Sequence, residues 1–426
     1  MKIVVIGGSS PSTPSLIREL SLRRDLPPLE VILLGQSEAR TQAVLRAARL
    51  LATGTPIQIS SVLTSDHRWT GALVGSEVII LQARPGGYES RRHDEQFPSK
   101  YGVCGDQDLG PGGLSNGWRS WPALRRYFLE AQRCAPEAIF LVLSSPVGLL
   151  VRLGQRAAPA LRILGICEVP WVTLVELCCD LGARVEEVHF GYVGIHHLGW
   201  FYRLDSGARN LLDEYAEFVR LRDRFPSQNV IRSYEAIPTR YVRLHCSSNS
   251  ADLVRELKLS SQRRCDHLIR FRENALRVFA SGNKEEIVTI LGERLTPWYS
   301  RAIVPFVASA VGAEIEEALF LSDRHPCRFP EFEDRDVFEA ACDLKNGVIV
   351  PRSLVEPLPP EVSMTIRQYI AAERLAAKAI WMNSQAMLVG ALNHHPWTAE
   401  LGQKNLDLAH EIAGGGSGSI HRGELA

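Results

Sequence analysis

Lys2–Ile6 is an apolar run that ends in Gly7-Gly8-Ser9-Ser10-Pro11-Ser12-Thr13-Pro14, and residues 15–24 then carry Leu16, Ile17 and Leu20 at helical spacing. A short apolar run bounded by a glycine turn reads as a buried strand, and the period that follows it reads as an amphipathic helix. The alternation repeats, with a strand over 31–34, a helix over Glu38–Leu51, and strands over 57–59, 78–82 and 138–143. Ser144-Ser145-Pro146-Val147-Gly148 closes the last of these as a turn. Strands separated by helices pair in parallel, because only a long crossover brings the chain back to the same end of a sheet. The pattern predicts an α/β fold with a doubly wound parallel sheet.

The first turn has a chemical use. Glycines let backbone approach a pyrophosphate, and the free N–H groups of the helix that follows favour its charge. Gly7, Gly8, Ser9 and Thr13 are therefore candidate cofactor contacts, although the spacing departs from GxGxxG and a plain tight turn would read the same. A nicotinamide-binding sheet usually has an acid at the end of its second strand for the ribose hydroxyls. Here that place holds Gly35-Gln36, which leaves NAD against NADP open; Arg40 could meet a 2′-phosphate or simply be a solvated helix residue.

Two more short apolar runs, 161–166 and 188–193, lead into Cys167 and His197. Both residues would sit where strands end, which in an open α/β sheet is the binding edge. A thiolate and an imidazole brought together there could hold a divalent ion with positions open for substrate. A buried Cys and a surface His that never meet would show the same spacing. Residues 83–122 have no long apolar run but many Gly, Arg and acidic side chains, among them Arg84, Arg91, Arg92, Asp94, Glu95, Asp106 and Asp108. They read as a long functional loop at the nicotinamide end of the edge, its arginines suited to phosphate or carboxylate; a solvated loop with local ion pairs is the other reading.

At 426 residues and 45% hydrophobic, the chain can bury a large core in two lobes. Lys+Arg and Asp+Glu are both 48, so no net field draws it to nucleic acid or an anionic membrane, and a small molecule is the expected partner. Nine Cys without a CxxC pair argue for a reducing compartment, hence the cytoplasm. No signal segment and no apolar run long enough to span a membrane is expected. After Trp200 the pattern changes to long helices, at 208–222, 251–280, 284–291 and 297–312, interrupted by Ile237-Pro238-Thr239-Arg240-Tyr241-Val242-Arg243-Leu244-His245. The predicted division is a Rossmann-like nucleotide-binding domain over 1–197, a mostly helical α+β domain over 198–412 and a disordered tail over 413–426.

Six motifs in order resemble glycoside hydrolase family 4, the NAD- and metal-dependent glycosidases, many of which act on 6-phosphoglycosides. They are the Gly-Gly-Ser-x-x-x-Thr-Pro start at Gly7, Arg91-x-x-Asp94-Glu95, Gly110-Pro111-Gly112-Gly113, Ser145-Pro146-x-Gly148, Gly165-x-Cys167-x-Val169-Pro170 and Gly194-x-x-His197-Leu198. The likeness is expected to run from Met1 to about Gly312 and to fade after it. It implies oxidation of the sugar at C3, loss of the C2 proton, elimination of the C1 substituent, addition of water and re-reduction, with no net redox change. It implies bound NAD, with NADP an alternative, a divalent metal such as Mn²⁺ on Cys167 and His197, and Tyr241 as the base. By the same resemblance Arg91 and Arg294 meet a substrate phosphate, Arg84 the cofactor, and the enzyme is a homodimer or homotetramer.

Departures fall inside the site. Where the family has Asn or Asp after the metal cysteine, this chain has Glu168, which could act as acid or reach the metal. Ser145 stands for the Asn of an Asn-Pro turn, His196 for the Asn before the metal histidine, and Gln107 for a Glu; Ser145 and His196 are taken as substrate contacts. The alternatives to a glycosidase are a sugar or cyclitol dehydrogenase or epimerase on the same fold, or a non-catalytic ligand-binding relative.

Overall fold

The computed structural model describes residues 1–324, 329, 332–345, 348–352 and 357–415. Strands β1 (Lys2–Ile6), β2 (Leu29–Gly35), β3 (Ile57–Leu63), β4 (Val78–Leu81), β5 (Ile139–Val142) and β6 (Arg162–Cys167) are parallel and lie in the order β3-β2-β1-β4-β5-β6. Alternate residues of β1 feed separate cores on the two faces of the sheet: Val4 and Ile6 join Phe128 and Phe140, while Ile3 and Val5 join Leu16 and Phe279. Burial on both faces is why all of these strands except the half-exposed edge strand β3 read as continuous apolar runs. The strand order reverses between β1 and β4, and the carboxyl ends there open the crevice that doubly wound sheets use for ligands.

The sheet does not stop at residue 197. It continues through β7 (His189–Ile195), β8 (Leu198–Ser206), the short β9 (Arg209–Asn210) and β10 (Ile237–Pro238), then β11 (Leu319–Asp323), β12 (Phe338–Lys345) and β13 (Val348–Pro351). β11 lies antiparallel between β6 and β12, with Phe320 opposite Cys167, and β12 pairs with β7 through Glu339 and Gly194. The boundary expected at 197 thus falls in the β7–β8 turn, inside one sheet. The helix Ala251–Ser281 also returns to lie on the helices Glu38–Leu51 and Gly87–Gln96 of the first half.

Residues 83–122 are not the loop that their composition suggested. They contain the helix Gly87–Gln96 and the start of the helix Gly110–Cys134. The first of these is held by buried ion pairs rather than an apolar face: Arg91 Nε donates to Glu95 Oε1 at 2.7 Å, and Asp94 receives both Arg119 Nη1 (2.9 Å) and Nη2 (2.5 Å). The second opens with glycines because backbone crowds it. A Cβ on Gly112 would lie 2.2 Å from Asp106 O, and one on Gly113 would lie 2.3 Å from Asp108 O. At the other end of the chain the helix Lys404–Gly415 runs over the first residues of the expected tail, and 416–426 lie outside the described residues.

Candidate active site at the carboxyl edge of the sheet

The glycine turn after β1 has the shape that a dinucleotide site requires. Gly7 has φ +84, and a Cβ there would sit 2.7 Å from Ala83 N; a Cβ on Gly8 would sit 2.8 Å from Leu33 Cα. Gly7, Ser9, Ser10, Pro11 and Ser12 line the principal cavity together with Arg40, Gln82 and Arg84. Gly8 and Thr13 do not line it. Gly8 is wedged against β2, and buried Thr13 accepts from Gln82 Nε2 (2.9 Å), while Tyr299 donates to Gln82 Oε1 (2.6 Å). Those two residues shape the loop instead. At the end of β2 a Cβ on Gly35 would meet Thr41 Oγ1 at 2.0 Å, so packing as well as chemistry excludes a larger residue there. The carboxylates that line the cavity are Asp108 and Glu168, and none stands beside Arg40 to read ribose hydroxyls.

Cys167 and His197 do meet. Cys167 ends β6, and His196 and His197 form the two-residue turn between β7 and β8. One ligand atom each from Cys167, His196 and His197 lie within 4.8 Å of one another, and so do those of Asp106, Asp108 and His197. His197 has φ +69, a conformation that costs a residue with a Cβ roughly 1–3 kcal/mol, and its carbonyl accepts from buried Thr239 Oγ1 at 2.8 Å. Strain held in place by a buried contact keeps the imidazole in the pocket.

Electrostatics favour a cation here. Burial, with Asp108 alongside, pushes Asp106 up to about 6. Asp108 is held below the usual range against its burial by the two histidines and by Ser145 Oγ, which donates to Oδ2 at 2.8 Å. Burial, with His196 alongside, pushes His197 down to about 3. His196 Nδ1, His197 Nδ1 and Glu339 Oε2 are buried without a hydrogen-bond partner, and a buried polar atom left unpaired is costly. Sulfur, imidazole and carboxylate donors around unsatisfied atoms fit a divalent ion.

Tyr241 stacks on His197 with ring centroids 4.2 Å apart and planes 6° apart. Burial and the carboxylates of Asp106, Asp108 and Glu168 hold its phenol well above the ordinary range. Arg243, two residues further on, pairs with Glu256 at 3.0 Å, and His245 bonds Tyr369 through Nδ1 at 3.0 Å. Burial raises Glu168, so its carboxyl keeps a proton to higher pH than an exposed one. Of the arginines, Arg91 is already balanced by Glu95, whose other oxygen accepts from Ser261 at 2.7 Å. Arg294 bonds Tyr88 Oη at 3.0 Å, and Arg84 makes no ion pair with a described residue and is lowered to about 10 by burial and by Arg91. Arg84, Arg91, Ser145, Glu168, His196, His197, Tyr241 and Arg294 all line the one cavity, as does Arg272, which the sequence did not single out. Asp108 and Glu339 were also missed as site residues; the only sequence signal for Glu339 is an acid inside the apolar run Phe338-Glu339-Ala340-Ala341.

Fold and site together define a doubly wound nucleotide-type sheet with a candidate metal centre at its binding edge. Two family models match the chain, family 4 glycosyl hydrolase over residues 2–182 and family 4 glycosyl hydrolase C-terminal domain over residues 192–398. The chain belongs to this family, and the likeness reaches well past Gly312, where it was expected to fade. Among curated relatives, the 6-phospho-beta-glucosidase BglT of Thermotoga maritima is 29% identical over 223 residues, 52% of this chain and 52% of that protein. The chain therefore spans about half the length of the curated relatives it matches. The structure of the 6-phospho-beta glucosidase from Thermotoga maritima with manganese, NAD+ and glucose-6-phosphate superimposes with a TM-score of 0.82 at 22% identity, covering 98% of each chain. A 6-phospho-alpha-glucosidase from gut microorganisms in complex with NAD and Mn2+ gives 0.79 at 20% identity, covering 97% of this chain and 98% of that one.

Proposed function

We propose that the protein is a redox-assisted glycoside hydrolase that uses NAD and a divalent ion on a glycoside or phosphoglycoside. The observation that carries this reading is the stack of Tyr241 on His197, which share a cavity with Glu168 and the glycine turn while Cys167 has its ligand atom within 4.8 Å of that of His197. When bound, the cofactors supply hydride acceptance and return at the sugar C3 and Lewis acidity for the adjoining oxygens. Gly7, Ser9 and Arg84 bind the dinucleotide, and Cys167 and His197 hold the ion. Tyr241 Oη takes the proton from C2 of the sugar. Glu168, protonated more readily than an exposed carboxyl, gives its proton to the departing C1 oxygen. Ser145 and His196 contact the sugar, while Arg91 and Arg294 face a phosphate where the substrate carries one. Because Glu95 already balances Arg91, Arg294 and Arg84 offer the stronger pull on an anion.

Eight described cysteines are free thiols, which supports a reducing, cytoplasmic setting, and the reading includes a homodimer or homotetramer. No helix among the described residues is long and apolar enough to cross a membrane. The test is a panel of nitrophenyl glycosides and their 6-phosphates, assayed with NAD and Mn²⁺ under reducing conditions while aglycone and NADH absorbance are followed together. Aglycone release that needs both cofactors without lasting NADH is the expected result. Accumulating NADH without aglycone would replace the glycosidase by a dehydrogenase.

A further inference from the structure

His196 carries a device that a substrate contact does not need. It is only 8% exposed, its Nδ1 has no hydrogen-bond partner, and that nitrogen lies 3.6 Å from Glu339 Oε2, which is also unpartnered. The other oxygen of Glu339 accepts a 2.6 Å hydrogen bond from Tyr192, and Glu339 itself is fully buried on β12. A buried carboxylate facing one imidazole nitrogen is the arrangement by which metal-ligating histidines are oriented, and here it faces Nδ1 from 3.6 Å without bonding it. The other nitrogen, Nε2, is directed at Asp108 Oδ1, 3.9 Å away, and Asp108 Oδ2 lies 3.7 Å from His197 Nδ1. Ligand atoms of Cys167, His196 and His197 lie within 4.8 Å of one another, close enough for the three to reach one ion.

We propose that the metal centre of this chain is built from three protein side chains, Cys167, His196 and His197, with Glu339 as the positioning residue for His196. The inference rests on the metal reading given above and extends it from two ligands to three. Each imidazole or thiolate shifts preference along the divalent series away from Mn²⁺, the weakest binder of that series, towards Co²⁺ and Zn²⁺. An ion held by one sulfur and two nitrogens is also retained more firmly than one held by one sulfur and one nitrogen.

Co²⁺ serves as the probe. The full-length protein is stripped of metal, loaded with one equivalent of Co²⁺, and examined by X-ray absorption, with competitive titration of Mn²⁺ measured by elemental analysis after gel filtration. One sulfur and two imidazole rings are expected in the wild type. In His196→Asn one ring should be lost, and the Co²⁺ over Mn²⁺ preference should fall by about tenfold or more. Glu339→Gln, which keeps volume and hydrogen bonding, should lower the preference while both rings remain. A single imidazole in the wild type, or an unchanged preference in both variants whose melting curves show them folded, overturns the proposal. Protein that binds neither ion overturns it together with the metal reading. The hydrolase reading fails separately: a two-imidazole centre in a protein that releases no aglycone supports the centre and removes the glycosidase, whereas one imidazole in an active glycosidase does the reverse.

Discussion

Tyr241→Phe separates proton removal from every other step. The variant loses only the hydroxyl, and the ring that remains can keep its 4.2 Å, nearly coplanar stack on His197, so the neighbouring imidazole stays supported. The phenol is surrounded by burial and three carboxylates, all opposing its ionisation, and Arg243 is engaged elsewhere. Arg264 opposes them in part, and a cation in the Cys167, His196 and His197 cluster would tip that balance further. Loss of a general base typically costs about 10²–10⁴-fold, or roughly 2.7–5.4 kcal/mol of barrier. With substrate in D₂O and NAD present, the wild type should wash deuterium into C2, whereas Tyr241→Phe should not, even where NADH absorbance reports oxidation at C3. Metal-stripped wild type should resemble the variant, because without the ion its phenol keeps its proton. Rapid exchange at C2 in Tyr241→Phe would refute the assignment and move the base to Glu168, a carboxyl that lines the same cavity.

Cys167→Ser should abolish metal-dependent activity and remove the rise in melting temperature that Mn²⁺ or Co²⁺ gives the wild type, about 2.7 kcal/mol at a hundred times Kd, while the metal-free melting curve hardly moves; full activity would take Cys167 out of the site. NAD and NADP should bind within about tenfold of each other, roughly 1.4 kcal/mol, since Gly35 offers no acid against a 2′-phosphate; calorimetric titration of both checks this, and a hundredfold preference for NADP would assign Arg40 to the phosphate. Asp94→Ala should lower the stability measured in urea by about 3–5 kcal/mol, because it strands the buried Arg119 guanidinium; a loss under 1 kcal/mol would mean that solvent reaches the pair.

The parts of the fold legible in the sequence are those whose burial is made of apolar residues. β1, β2 and β4 to β6 are covered on both faces and so appear as short hydrophobic runs, and the helix Glu38–Leu51 announces itself through Ser37, whose side chain accepts from Arg40 N. The helices Gly87–Gln96 and Gly110–Cys134 were hidden for the opposite reason. Their contacts are Arg91 with Glu95, Asp94 with Arg119, and glycines against backbone carbonyls, and such a composition looks like a solvated loop until the partners are known. β11 and β12 were obscured in the same way, by Ser322 and Glu339 buried in runs too short and mixed to stand out.

The site divides along this line. Cys167 could be found because it ends a parallel strand of the doubly wound sheet, a predictable place, whereas His197 follows β7, which runs against β6, so that rule does not account for its place beside Cys167. Asp108 and Glu339 could not, since one arrives before the helix Gly110–Cys134 and the other on an antiparallel strand added beside β7. What brings them in is the extension of the sheet past residue 197: β11 pairs with β6 at Cys167, β12 pairs with β7 at Gly194, and Glu339 is thereby carried to His196. Strands that make the second half part of the first half's sheet are thus the same strands that complete the candidate metal centre. A sequence that had divided into two independent lobes at the β7–β8 turn would have left His196 without its carboxylate.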